Sequence, residues 1–193
     1  MDLAAPSYRF CPFCGIGLST RIEEEKTRKY CDACDWTYYP RVAASVTAII
    51  ARPDSVLLVK RIREPFAGSW MFPAGFVEYG EHPEESLRRE ILEETGLKIK
   101  HAEFISVFQS PDDWREPGHF VFFYLVETEP GEIRTDLREN EAIRWFDIHG
   151  CMPEVGWELH KRYLYALWAE ARKLRSDSHW LRDGCSLAPK RTM

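Results

Sequence analysis

At 193 residues, with 45% hydrophobic and 13% aromatic side chains, the chain is long enough to bury a sizeable core, as one principal domain plus a small module. A net charge of −5 excludes a general electrostatic attraction to nucleic acid or to an anionic membrane. The start, MDLAAPSYRF, lacks the features of a secretory signal, no stretch reaches the ~20 apolar residues of a membrane span, and PKRTM carries no lipidation motif, so a cytoplasmic protein is expected.

The first element is a segment of about 8–39 holding two C-x-x-C pairs, Cys11/Cys14 and Cys31/Cys34, with sixteen residues between them. Pairs at this separation fit a four-thiolate zinc site, each pair on a tight turn closing a tetrahedron, and Gly15 suits such a turn. A redox dithiol needs only one pair, and a disulfide framework needs an oxidising compartment to which nothing here points. Four protein ligands leave no open position, so this zinc is expected to be structural. The polar middle, RIEEEKTRKY, reads as two short strands or a solvated loop. Its basic residues Arg21, Lys26, Arg28 and Lys29 are offset by Glu23, Glu24 and Glu25, so no nucleic-acid partner is expected.

From Arg41 the texture turns to β-type runs, VAASVTAII and SVLLVKRI, separated by the turn signal RPDS. A loop rich in special residues follows, then a helix with Pro83 near its start, Gly96 at its end, and Leu87 and Ile91 as its apolar stripe. AEFISVFQ and HFVFFYLVE read as strands joined by SPDDWREPG, and EAIRWFDI as another short strand. The last strong element is helical, with Leu159, Tyr163, Leu167 and Ala171 in step, before a polar tail from 175 onward expected to be mobile. This order lacks the regular alternation of a doubly wound sheet. The fold class expected is α/β (α+β), a mixed sheet sandwiched by helices, with boundaries at 1–40, 41–174 and 175–193.

Between Gly75 and Leu97 lie seven glutamates, and Glu90, Glu93 and Glu94 share one helix face. Like charges at these spacings repel by roughly a few tenths of a kcal/mol per pair. A solvated charged face is the ordinary reading of such a helix. Here Arg88 and Arg89 precede the cluster without being interleaved through it, and hard oxygen ligands are what magnesium or manganese requires. A bound cation would turn the repulsion into attraction.

The string Gly75, five residues, Glu81, seven residues, then Arg89-Glu90-Ile91-Leu92-Glu93-Glu94-Thr95-Gly96-Leu97 resembles the Nudix box at every defined position. The stretch from about 42 to 174 is similar to a Nudix domain, GSWMFPAGFVE and ENEAIRWF included. The resemblance implies an α/β/α sandwich and hydrolysis of a nucleoside diphosphate linked to another group X. By position, it implies that Glu90, Glu93, Glu94 and the carbonyl of Gly75 bind magnesium or manganese. It gives Arg89 and Glu81 a supporting role, as an ion pair bracing the loop on the helix. Family members draw a further ligand or the general base from a later segment. Glu139 is the first choice for it and Glu141 the second, against the ordinary reading of each as a solvated loop residue.

A cysteine ribbon ahead of the box resembles the zinc-ribbon branch of the family, which acts on NADH, ADP-ribose or FAD. This chain lacks the SQPWPFP that follows the box in NADH pyrophosphatases, so the resemblance leaves X open among ADP-linked compounds. Trp70, Phe72, Phe76 and Trp114 are the candidates to stack on the base, with Tyr79 also nearby. Most aromatics in such a chain are core, a reading that suits Trp114 least. Arg63 and Arg115 are candidates to reach phosphate. His82, His101, His119 and His160 show no ligand spacing and read as structural or exposed, and no catalytic thiol is expected of Cys151 or Cys185. The partner expected is a small-molecule nucleotide, and the family's habit of homodimerising is carried over as an expectation only. The alternatives weighed are a nucleoside-triphosphate sanitising enzyme and a non-catalytic ligand sensor or RNA-associated protein, for which an intact glutamate trio has no use.

Overall fold

The structure, a computed structural model, describes residues 8–175. The tail expected from 175 onward therefore lies outside the described residues except for Arg175, as does Cys185. RIEEEKTRKY forms strands, the first of the two readings it allowed. β1 (Ser19–Glu23) and β2 (Lys26–Cys31) pair as a hairpin, and β3 (Trp36–Tyr38) completes a three-stranded antiparallel sheet. The hairpin turns at Glu24 and Glu25, whose φ angles are 46° and 64°. Both lie in the left-handed region that a two-residue hairpin demands and that asparagine or glycine usually supplies.

The second sheet has seven strands. β4 (Ala44–Arg52) and β5 (Ser55–Arg61) form a hairpin at the RPDS turn, then part after Ala51. The segment expected to be loop fills the opening. β6 (Trp70–Met71) pairs with β5, and β7 (Ala74–Phe76) pairs with β4 through Val46↔Gly75. β8 (Ile99–Gln109) and β9 (Phe120–Thr128) are antiparallel, and β9 runs parallel to β4. β10 (Asn140–Asp147) lies against β5, giving the order β10-β5-β4-β9-β8. One parallel pair among antiparallel ones makes the sheet mixed, as expected.

Helices cover both faces because side chains alternate along β4. Val46, Ala48 and Ile50 cluster with Leu87 and Ile91 of α1 (Pro83–Thr95), while Ile49 clusters with Leu164 and Trp168 of α2 (Glu158–Arg175). Each fully buried aliphatic side chain contributes about 1.5–3 kcal/mol. The stripe on α2 is centred on Leu164 and Trp168, while Leu159, Tyr163 and Leu167 are only partly buried beside it. Among the described residues, no helix is long and apolar enough to cross a membrane.

Candidate functional site

α1 begins at a capping box, in which the His82 ring accepts from the Glu84 backbone N–H and the Glu85 carboxylate accepts from the His82 N–H. It ends at Gly96, with φ 73°. The caps fix where the helix starts and stops, and the buried Leu87 and Ile91 fix which face it turns toward the sheet. Glu94 is buried there, accepting from the Ala74 N–H at 2.9 Å and from Asn140 Nδ2 at 3.2 Å. Burial outweighs both hydrogen bonds and pushes its carboxyl up to about 8. Glu90, largely buried, is also raised by burial, against the pull of Arg89. Glu93 stays exposed at the outer side.

Arg89 changes the picture of the charged face. Its Nε and Nη2 donate to the two Glu81 oxygens at 2.7 and 2.9 Å, and Nη1 donates to Glu90 at 2.7 Å and Glu93 at 3.4 Å. The sequence shows no cation interleaved among the glutamates, yet this long side chain folds back among them. Glu81, hydrogen-bonded to Arg89, is held down to about 2. The expected Glu81–Arg89 pair is therefore present, and Nη2 also ties the loop through the Phe76 carbonyl at 3.1 Å. Gly75 lies so close that a Cβ there would stand 1.9 Å from Glu90 Cδ. This glycine is needed for close approach, not for an unusual φ.

Gly75 and Glu90 line a cavity of about 280 Å³ on the α2 side of the sheet, together with Glu139, Arg61, Arg63 and Arg115. Glu139 pairs with Arg63 at 3.4 Å. Glu141 pairs with Lys60 at 3.0 Å and is not in the lining. Of the aromatic candidates only Phe76 lines the cavity, 5.2 Å from the His119 ring. Phe72 corrects the sequence reading, being wholly buried in the core against His160 and so closed to a base. Trp70 packs edge-on against Phe146 at 4.6 Å. Trp114 is 72% exposed and outside the lining, although its loop neighbours Asp113 and Arg115 belong to it. Tyr79 is almost fully exposed.

The sequence reading missed Trp157, Thr47, Arg61 and the wall histidines His119 and His160. Trp157 sits just before α2 and is held against Phe66 by Gly156, where a Cβ would meet Phe66 at 2.4 Å. The start of α2 is tied to the loop before β9, where Asp112 accepts from the Glu158 N–H at 2.8 Å, and no local pattern in the sequence signals that contact.

Away from the cavity, the ligand atoms of Cys11, Cys14, Cys31 and Cys34 all lie within 4.8 Å of one another, with 3.6 Å between the Cys14 and Cys31 sulfurs. A zinc with ~2.3 Å bonds to four thiolates has sulfurs roughly 3.8 Å apart, so the set fits. Burial raises Cys11, but hydrogen bonds from the Phe13 and Cys14 amides and from the Cys14 and Cys31 thiols together outweigh it and bring that thiol to about 7. Neighbouring thiols, Cys14 first, push Cys34 up to about 12. Protein purified without added zinc is expected to carry about one zinc per chain, because so small a segment gains its folding energy from the metal. Elemental analysis finding no zinc, with the thiols of Cys11, Cys14, Cys31 and Cys34 all free, would overturn this.

The NUDIX domain family matches residues 40–167. The chain is 32% identical over 173 residues to the NAD-capped RNA hydrolase NudC of Pseudomonas putida, over 90% of this chain and 60% of that protein. It thus spans about three-fifths of the length of that relative. A Nudix hydrolase structure from Nitrosomonas europaea superposes with a TM-score of 0.70 at 23% identity, covering 86% of this chain and 93% of that one. A MutT Nudix hydrolase structure from Burkholderia pseudomallei gives 0.59 at 29% identity, covering 65% and 97%.

Proposed function

The chain belongs to the Nudix family, and from that premise we propose that it is a divalent-metal-dependent pyrophosphohydrolase. Its substrate is an ADP-linked small molecule such as ADP-ribose, FAD or an NAD-type dinucleotide, and it releases AMP. The observation that carries this reading is one cavity lined by two kinds of charged group. Glu90, Glu139 and Gly75 line it together with Arg61, Arg63, Arg115 and the Phe76 ring, and Glu139 stands within 3.4 Å of Arg63. A diphosphate ester presents charge to both kinds and a base to the ring.

Glu90, Glu93, Glu94 and the Gly75 carbonyl would hold magnesium or manganese, and Glu139 takes the part of further ligand or base. The donors are hard oxygens, and burial raises the Glu90 and Glu94 carboxyls, so a cation would favour their charged forms there. A cation there supplies countercharge to the diphosphate and makes a water nucleophilic at neutral pH. Arg89 keeps the glutamates together through Glu81 and the Phe76 carbonyl. Phe76 and His119 flank the adenine, and the cysteine ribbon is a structural zinc module.

The relative's printed activity, on NAD-capped RNA, adds an NAD-type end group to the compounds to be tried. Chromatography of the products tests the reading. ADP-ribose is expected to give AMP and ribose 5-phosphate, and FAD to give AMP and FMN. Release of pyrophosphate from an oxidised deoxynucleoside triphosphate, with ADP-ribose left whole, would replace it by the sanitising reading.

A further inference from the structure

Of the three helix glutamates, Glu94 alone has both carboxylate oxygens held among the described residues. Oε2 accepts from the Ala74 N–H at 2.9 Å and Oε1 from Asn140 Nδ2 at 3.2 Å. Glu90 and Glu93 each accept through one oxygen, from Arg89. One bond fixes where a carboxylate sits, and a second on the other oxygen fixes the plane in which its remaining lone pairs lie. The Ala74 donor belongs to β7, beside Gly75, and the Asn140 donor opens β10, beside Glu139. Glu94 thus bridges the two segments that carry the other candidate oxygens of the site.

Asn140 is built into place for this contact. It is 2% exposed and among the bulkiest wholly buried side chains, yet it lies outside the cavity lining. Most side-chain hydrogen bonds go to backbone or water, whereas this buried amide gives its Nδ2 to a carboxylate. Its loop is pinned independently. The Glu139 and Asn140 N–H groups donate to the Asp136 carbonyl at 3.2 and 2.9 Å, and the Ile62 N–H donates to the Glu139 carbonyl at 3.1 Å. The Arg134 N–H donates to the Thr95 carbonyl at 2.8 Å, tying the same loop to the end of α1. β10 shifts register against β5 between Asn140 and Ala142, and such a bulge re-aims side chains. Asn140 then meets Glu94, while Glu141 reaches Lys60.

We propose that Asn140 is a positioning residue for Glu94. Its amide sets the plane of the carboxylate and joins the box helix to the segment that carries Glu139. The role needs a donor of this reach, since an aspartate of the same shape would set a like charge against Glu94. The inference rests on the reading that Glu94 holds a divalent cation. Groups that orient a metal ligand are worth about 10–100-fold in metal affinity or activity.

The test is calorimetric binding of manganese to the full chain as purified, alongside kcat and KM for ADP-ribose. The proteins are the wild type, Asn140→Ala, Asn140→Leu, Glu94→Gln, and Glu94→Gln combined with each Asn140 variant. Manganese affinity and kcat are each expected to fall at least about tenfold in Asn140→Ala. KM should move less than about threefold, because Asn140 does not line the cavity. Leucine keeps the bulk of asparagine and offers no donor, so it should lose as much as alanine. In the Glu94→Gln background the Asn140 changes should lower kcat by less than about twofold further, because the group they act through is already gone. If Asn140→Ala does not fold, the leucine variant carries the same comparisons. Wild-type manganese affinity in a folded Asn140 variant, or losses that multiply in the combined variants, overturns the positioning role alone. A leucine variant that keeps what alanine loses makes Asn140 a packing residue and overturns it too. A wild-type protein that takes up no manganese overturns the role together with the metal reading.

Discussion

Replacing Glu94 with glutamine is expected to keep the fold, raise the stability of the magnesium-free protein at high pH, and lower turnover by at least about a hundredfold. The carboxyl is 5% exposed, and burial lifts it from 4.5 to about 8 despite its bonds from Ala74 and Asn140. A carboxyl whose folded pKa is raised binds a proton on folding. Its contribution to stability is fully present below about pH 4.5 and is lost as pH rises through about 8. Above that, a buried charge without its cation costs on the order of a few kcal/mol. Glutamine carries no charge, and a flip of the Asn140 amide gives it a matching acceptor. Thermal melts without magnesium, and without a chelator that would strip metal from the cysteines, should show the variant ahead of wild type at pH 8.5 and level with it near pH 5. Adding magnesium should stabilise the wild type more than the variant. Near-normal activity of Glu94→Gln at limiting magnesium would mean that Glu94 is no metal ligand.

Gly75→Ala is expected to separate function from stability. The new Cβ would fall 1.9 Å from Glu90 Cδ, and about 2.2 Å from both carboxylate oxygens. The atoms in the way are the end of a flexible side chain, so the backbone pairing Val46↔Gly75 survives and Glu90 swings aside. The melting temperature should move by only a few degrees, roughly 1 kcal/mol for a domain of this size. Turnover should drop by about tenfold or more because the displaced carboxylate no longer faces the cavity. Wild-type turnover in the alanine variant would remove Glu90 from the catalytic set.

What could be read beforehand follows from the range of the forces involved. The box helix was legible because its signals are local: Pro83, the glycine at 96, and the four-residue step from Leu87 to Ile91. The cysteine pairs were legible because metal geometry constrains spacing along the chain. The β1–β2 turn gave only an ambiguous signal, since two glutamates occupy the left-handed positions where glycine or asparagine is looked for. β6 and β7 are two and three residues long and exist because β4 and β5 diverge, which no local pattern encodes. The cavity was the least legible part. Thr47, Arg61, His119 and Trp157 come from four separate segments and meet only through the sheet topology. For the same reason aromatic content alone could not separate Phe76, on the wall, from Phe72, two pairs of residues away and wholly in the core. Arg89 was expected to pair with Glu81 and does, but its reach to Glu90 and Glu93 was not foreseen. Sequence order shows where a charge is attached, whereas a long side chain delivers it a full turn away, to Glu81 on one side and Glu93 on the other.

The central claim is that the cavity and its glutamates serve an ADP-linked diphosphate. Its most direct test is kcat/KM with magnesium across ADP-ribose, NADH, FAD and oxidised deoxynucleoside triphosphates, each repeated with magnesium withheld. The account predicts that an ADP-linked compound leads the series and that withholding the cation abolishes turnover. A preference of at least about tenfold for the triphosphates, worth roughly 1.4 kcal/mol in transition-state binding, would contradict it.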